Sequence, residues 1–206
     1  MWALIESDNV TQVYTRPKGL TIGEVNYPSN IFMLWTSSEL EALGLYEIVI
    51  DNSNLKSQEY YINTNQTFAF ADGVATASYG TATAKPLDDI LFTAQDETDE
   101  LGVEGEVKQP GIRKGYKDII NSQAGGLLQD TDWMVVRAAE GGTAVPSAIT
   151  TWRAAVRTKA NAMQVQIGNA ANVDALAALY AYTYADPDDL TSAYTRPLGD
   201  FPVLGA

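Results

Sequence analysis

Thr131–Arg157 reads TDWMVVRAAEGGTAVPSAITTWRAAVR, and this block decides how the second half of the chain folds. Thr131 is placed to cap a helix whose first turn carries Asp132 and Trp133, an acid being favoured at the positive end of a helix. Gly141 and Gly142 stop that helix, because glycine adopts the left-handed C′ conformation at little cost. Pro146 opens the next one, where its missing N–H is no loss. Ile149, Trp152 and Val156 then fall at i, i+3 and i+7 on one apolar stripe, with Arg153 and Arg157 four apart on a neighbouring stripe. Trp133 and Trp152 are expected in the core, an Asp or Glu accepting from each buried indole N–H. Arg137 and Glu140 form a local i, i+3 pair. Asp132 and Pro146 complete the structural residues of a helix–turn–helix block whose chemistry is that of binding.

The order of these residues resembles the C-terminal module of tailed-phage tail fibre assembly chaperones and related small tail-cluster proteins. The matching positions are Leu127, Leu128, Thr131, Asp132, Trp133, Arg137, Glu140, Gly142, Val145, Pro146, Ile149, Trp152, Arg153, Val156 and Arg157, within 125–167. SSELEALGLYEIVI (37–50) and QEYYINTNQTFAFADGVATASYG (58–80) are similar to small tail-cluster proteins of aquatic phages. The resemblance implies a non-enzymatic protein that binds a tail fibre or another tail protein. It also implies a place in the host cytoplasm during assembly, with retention in the virion tail as a second expectation.

Composition sets limits of its own. The chain has 206 residues, 46% of them hydrophobic and 10% aromatic, enough for a real core. It has no run of 18 apolar residues, so no membrane span is expected, and MWALIESDNV lacks the basic start of a secretory signal. Cysteine and histidine are both absent. That removes disulfides, thiolate nucleophiles, the Ser-His-Asp triad and Cys- or His-ligated metals, and fits synthesis in a reducing cytoplasm. No catalytic residue, cofactor, metal or small-molecule ligand is expected. The net charge of −13 lies entirely in Met1–Val107, with 4 basic residues against 17 acidic, whereas Lys108–Ala206 balances 9 against 9. Nucleic acid and anionic membranes are therefore not expected as partners.

The pattern predicts an α+β chain: an acidic, mostly antiparallel β domain with one short helix (1–93), an acidic linker (94–111), a small helical bundle (112–183) and an extended Pro-containing tail (184–206). In the first domain Trp2–Glu6 pairs with Thr11–Thr15, and Ile31–Thr36 is a β-like run. A short helix capped by Thr36 or Ser37 ends at Gly44, and Leu45–Asp51 is another β-rich run. Glu59–Asn63 and Gln66–Asp72 are expected to form a hairpin about Asn63-Thr64-Asn65, followed by a strand within Val74–Thr83. Gln95–Gly111 fails as an EF-hand because Leu101 stands where glycine is needed, so a solvated acidic linker is expected. Helices are predicted over 112–128, 133–140, 147–167 and 173–182.

The candidate partner-binding residues are Arg137, Arg153 and Arg157, whose planar forks suit interfaces, together with Tyr60, Phe68, Tyr180, Tyr182 and Tyr184. Pairing of Arg153 and Arg157 with Asp132 or Glu140 inside the bundle is the competing role for those two. Two further functional readings remain open: a permanent structural or adaptor protein of the tail, and a receptor- or carbohydrate-binding module using the aromatics of the first half.

Overall fold

The computed structural model describes residues 1–205, and the chain divides into two compact units at Thr83/Ala84. The division falls ahead of the acidic stretch, so residues 84–111 belong to the second unit. The fold is mixed α+β, with an antiparallel-rich sheet in the first unit and helices in the second.

The first unit holds β1 (Trp2–Glu6), β2 (Asn9–Tyr14), β3 (Leu20–Ile22), β4 (Val25–Tyr27), α1 (Ile31–Leu34), α2 (Ser37–Glu41), β5 (Leu45–Asp51), β6 (Tyr61–Ile62), β7 (Gln66–Ala71) and β8 (Val74–Tyr79); β9 (Thr83–Ala84) straddles the division. Five strands form one sheet in the order β2-β1-β5-β8-β7, in which β5 and β8 run parallel and the other neighbours antiparallel. Alternation sorts the side chains onto two faces. One collects Leu4, Tyr14, Leu45 and Leu40, closed by Ile31 and Phe32. The other packs Ala3, Ile48, Ala75 and Ala77 beneath Tyr46 and Phe70, whose rings lie 4.6 Å apart.

Two expectations fail here. Ile31–Leu34 is a helical turn, and Ile31 and Phe32 are both buried in the same core. A strand would send consecutive side chains to opposite faces, so the helix is what lets both enter. The hairpin is β7–β8 about Asp72-Gly73, with φ of 52° and 76°, and β6 is not a member of that sheet. Positive φ at both central residues is the type I′ geometry that matches strand twist, and Asp-Gly is suited to it.

Thr36 caps α2 by a full capping box with Glu39. Gly44 then turns the chain with φ of 80°, and a Cβ there would lie 2.7 Å from the Ile5 carbonyl oxygen. Gly44→Ala is expected to destabilise the first unit by about 1–3 kcal/mol, from backbone strain plus this clash. Thermal unfolding of the variant checks it.

The second unit holds β10 (Ile90–Leu91), α3 (Ala94–Thr98), β11 (Val107–Gln109), α4 (Ile112–Gln129), α5 (Asp132–Ala139), α6 (Ser147–Asn169), α7 (Val173–Tyr180), β12 (Thr183–Tyr184) and β13 (Tyr194–Thr195). The expected acidic linker is folded: β10 pairs with β11, and between them Thr93 and Asp96 form a capping box at the start of α3. Hydrogen bonds from Lys108, then from Thr93, hold the Asp96 carboxyl down at about 2. A depressed carboxyl pKa stabilises the fold above the unfolded value and is lost as pH falls through the folded one. The amides of 93–98 are therefore expected to stay native from neutral pH to about 4 and to lose protection as pH falls toward 2. Exchange measured across that range, with Asp96→Asn as the control, tests this; unchanged protection at low pH contradicts it.

The expected tail is partly structured too. β12 and β13 pair Thr183 with Thr195 and Tyr184 with Tyr194. Leu198 beyond them is fully buried.

Candidate functional site

The 131–157 block stands on two long helices, α4 and α6, which pack along one another. Tyr116, Ile120 and Ala124 of α4 and Trp152, Val156, Ala160, Met163 and Ile167 of α6 recur at helical spacing and are buried. Each end of this pair is tied by one arginine. At one end Arg153 donates through Nη1 to the Leu128 carbonyl (2.8 Å) and to Thr131 Oγ1 (2.5 Å), and through Nη2 to Asp132 Oδ1 (2.7 Å). It thereby joins the last turn of α4, the start of α5 and α6. At the other end Arg113 reaches the Ile167 and Gly168 carbonyls at 2.8 and 2.6 Å, and its Nε and Nη2 grip both oxygens of Asp88 at 2.6 and 3.1 Å. That grip lowers the Asp88 pKa. In both ties a guanidinium fork adds its donors to the carbonyls of a helix's last turn, at the negative end of the helix dipole.

Arg153 is therefore no partner-binding residue. It is buried, and the internal pairing with Asp132 is the role it has. Thr131 does not cap α5 with its side chain, because its hydroxyl donates to the Leu128 carbonyl and accepts from Arg153. Pro146 sits just ahead of the first turn of α6, with its carbonyl accepting from the Thr150 N–H at 3.0 Å. Trp152 is buried as expected, but its indole N–H finds the Pro202 carbonyl at 2.9 Å and not an acid. Arg157 is exposed on α6.

Trp133 departs most from expectation: it is 55% exposed, not core. It begins α5, none of whose eight residues is buried. The Arg137 guanidinium lies over its ring, 4.8 Å from the centroid, and this stacking replaces the expected pair with Glu140. Val136, one turn on, is exposed on the same side of α5, and Val135 is exposed on the other. The C-terminal end of α5 is closed by a Schellman motif: Gly141, with φ of 85°, donates to the Ala138 carbonyl and Gly142 to the Arg137 carbonyl. A Cβ at Gly142 would lie 2.7 Å from Arg137 Cγ, so this glycine leaves room for the stem that carries the stacked guanidinium. The helix is thus fixed at both ends, by Arg153–Asp132 and by the two glycines, while Trp133 and Val136 face solvent and Met134 and Ala138 are half-buried. Such a face can dock onto another apolar surface, with Trp133 and Arg137 as its anchors.

The remaining candidates scatter. Tyr60 is buried, because Tyr60 and Tyr61 part on either side of the chain as β6 begins, and so it offers nothing to a partner. Phe68 is exposed on β7 beside the covered Phe70. Tyr180 lies half-buried against Tyr116, ring to ring at 4.9 Å. Tyr182 and Tyr184 do come together, with Tyr194, at centroid distances of 4.9–6.2 Å, and Arg196 lies over Tyr182 at 5.6 Å. Tyr194 and Arg196 join this group only because β13 folds back on β12, a contact across ten residues that no local pattern announces. Among the described residues no helix is long and apolar enough to cross a membrane, and no cluster of three or more carboxylates is arranged to hold a metal. Comparison of the chain with models of protein families, with curated proteins and with solved structures returned no match.

Proposed function

We propose that the protein is a non-enzymatic phage tail protein that binds a tail fibre, or a neighbouring tail component, and assists its folding or assembly. The α5 face carries this reading: Trp133 with Arg137 stacked on it and Val136 one turn on, all on a helix tied at both ends that buries none of its own residues. Leaving an indole in water forgoes burial worth about 1.5–3 kcal/mol or more, a cost that a partner surface recovers. The resemblance of 131–157 to the fibre-chaperone module supplies the kind of partner. The acidic first unit keeps an apolar docking face soluble. A permanent adaptor of the tail would use the same face and differ only in staying bound.

A receptor- or carbohydrate-binding reading has one observation of its own. An open cleft of ≈ 540 Å³ in the first unit is lined by Tyr61, Tyr79, Asn65, Gln58 and Gln66. Aromatic rings beside amides suit a sugar, although Asn63 at its border is committed to both backbone groups of Lys56.

Co-expression with a tail fibre protein of the same genome, followed by capture and mass-based stoichiometry, tests the assignment. A complex that keeps the fibre soluble and is lost from mature particles is the expected result. Regular copy numbers of this chain in purified particles would make it the adaptor, and absence from both would contradict either role.

A further inference from the structure

The open cleft of the first unit, ≈ 540 Å³, lies between the 55–66 segment and the end of β8, and side chains bonded to backbone hold its walls. The Asn63 amide accepts from the Lys56 N–H at 2.9 Å and donates to the Lys56 carbonyl at 2.8 Å. Thr64 Oγ1 accepts from the Gly80 N–H at 2.7 Å, and the Asn54 amide donates to the Tyr79 carbonyl at 3.0 Å. Within this frame the Tyr61 and Tyr79 rings are half-buried, and Leu55 and Ile62 are exposed beside them. The Asn65 and Gln66 side-chain amides and the Tyr79 hydroxyl have no hydrogen-bond partner among the described residues. No residue lining the cleft is charged, although Met1–Val107 carries 17 acidic residues against 4 basic. Lys56 stands over the Tyr61 ring, 6.0 Å from its centroid, without lining the cleft.

We infer that this cleft binds a neutral saccharide, its C–H faces against Tyr61 and Tyr79 and its hydroxyls on Asn65, Gln66 and the Tyr79 Oη. The inference sharpens the carbohydrate reading of the same cleft, on which it rests, and is independent of the α5 face. A sugar ring is apolar on its C–H faces and rimmed by hydroxyls that each donate and accept. A tyrosine ring matches the first surface, and a side-chain amide, with donors and an acceptor together, matches the second. The volume falls within the ~300–1,000 Å³ of small-molecule sites. An extended peptide would need free main-chain groups to pair with, and the frame has already engaged those of Lys56, the Gly80 N–H and the Tyr79 carbonyl. An anionic saccharide would enter the field of the acidic half with no lining cation to hold it, and a cationic ligand would find no lining carboxylate. Because the side-chain ties set the walls beforehand, little ordering is left to oppose binding.

The test applies the full chain to an array of immobilised glycans, neutral gluco-, galacto-, manno- and N-acetylglucosamine oligomers beside uronic and sialic acid oligomers. The best-retained glycan is then titrated into the chain and followed by NMR. Binding confined to neutral glycans is expected, with saturable shifts at the Asn65 and Gln66 side-chain amides and the Gly80 N–H. Asn65→Ala and Tyr79→Phe, which each delete one ligand-facing group, should weaken that binding about fivefold or more, the worth of one hydrogen bond, while the melting temperature stays near wild type. Preference for acidic glycans at the same resonances would overturn the neutral-ligand inference and leave the carbohydrate reading standing. Retention of no glycan would overturn both, as would shifts that fall outside the cleft or affinities that neither variant changes. A decaproline peptide that moves these resonances in place of any glycan would make the cleft a peptide site and overturn the inference.

Discussion

Trp152→Ala is expected to cost the second unit about 3–5 kcal/mol, in the range of other buried aromatic-to-alanine changes. The indole lies between α4, α6 and residues 201–204 and is nearly fully buried, so its removal leaves a cavity bordered by Leu127, Thr131 and Pro202. It also leaves the Pro202 carbonyl without its donor. At about 4 °C per kcal/mol for a unit of this size, the melting temperature should fall by roughly 12–20 °C. Trp152→Phe separates the two terms, because it keeps most of the ring volume and deletes the N–H. That variant should lose about 1–2 kcal/mol, and most of the loss should appear as faster exchange at the Phe201, Val203 and Leu204 amides. Differential scanning calorimetry on the three chains measures both. A loss below about 1 kcal/mol for the alanine variant would mean that residues 201–204 and α4 close over the gap, and that Trp152 is not a keystone of the unit.

The second large effect belongs to Arg153. Its guanidinium joins the Asp130 and Thr131 backbone N–H groups and the Thr131 hydroxyl on the last-turn carbonyl of Leu128, and it holds the start of α5 to α6. Arg153→Ala should cost about 2–4 kcal/mol, since a buried fork with three partners is lost and two of them stay poorly hydrated. Lysine should recover less than half, because a single ammonium cannot span Leu128 and Asp132 together. Asp132→Asn should cost no more than about 1 kcal/mol, as that carboxylate is more than half exposed and water replaces the ion pair. Urea unfolding of the set gives the order. Equal losses for Arg153→Ala and Asp132→Asn would shift the tie from carbonyl capping to the ion pair.

What the sequence carried, and where it stopped, follows from the range of the interactions involved. The helices of 112–180 rest on apolar spacing and on glycine stops, all local, and each appears within two residues or so of its expected place. The Thr36–Glu39 capping box is equally local. The β7–β8 hairpin was misplaced although its signal was also local: Asp72-Gly73 is a stronger turn than Asn63-Thr64-Asn65, and the aromatic run at 60–62 drew the pairing away from it. Ile31–Leu34 reads as strand by residue type, and only the need to bury two consecutive side chains in one core makes it a helical turn. Acidity concealed α3, where Asp96 is a cap and not merely a solvated charge.

The functional surface was harder. Trp133 and Trp152 look alike on paper, each on the apolar side of a helix. Their fates part because α5 has two turns and is held by its ends, whereas α6 spans the unit and packs along its whole length. Arg153 and Arg157 differ only by which neighbour lies within reach, and Leu128, Thr131 and Asp132 lie 21–25 residues away in the chain. The Arg113 tie, 54 and 55 residues from its carbonyl partners, has no sequence signature at all.

The most direct measurement is capture of a tail fibre protein, the proposed partner, by the wild-type chain and by Trp133→Ala, with thermal unfolding of both. Because Trp133 is exposed and its helix is tied elsewhere, the variant should melt within about 2 °C of wild type, as expected for a surface change of up to about 0.5 kcal/mol. Its capture should weaken at least tenfold, the loss expected for an aromatic anchor at the centre of an interface. Unchanged capture by a folded Trp133→Ala chain would contradict the assignment of the α5 face as the docking surface.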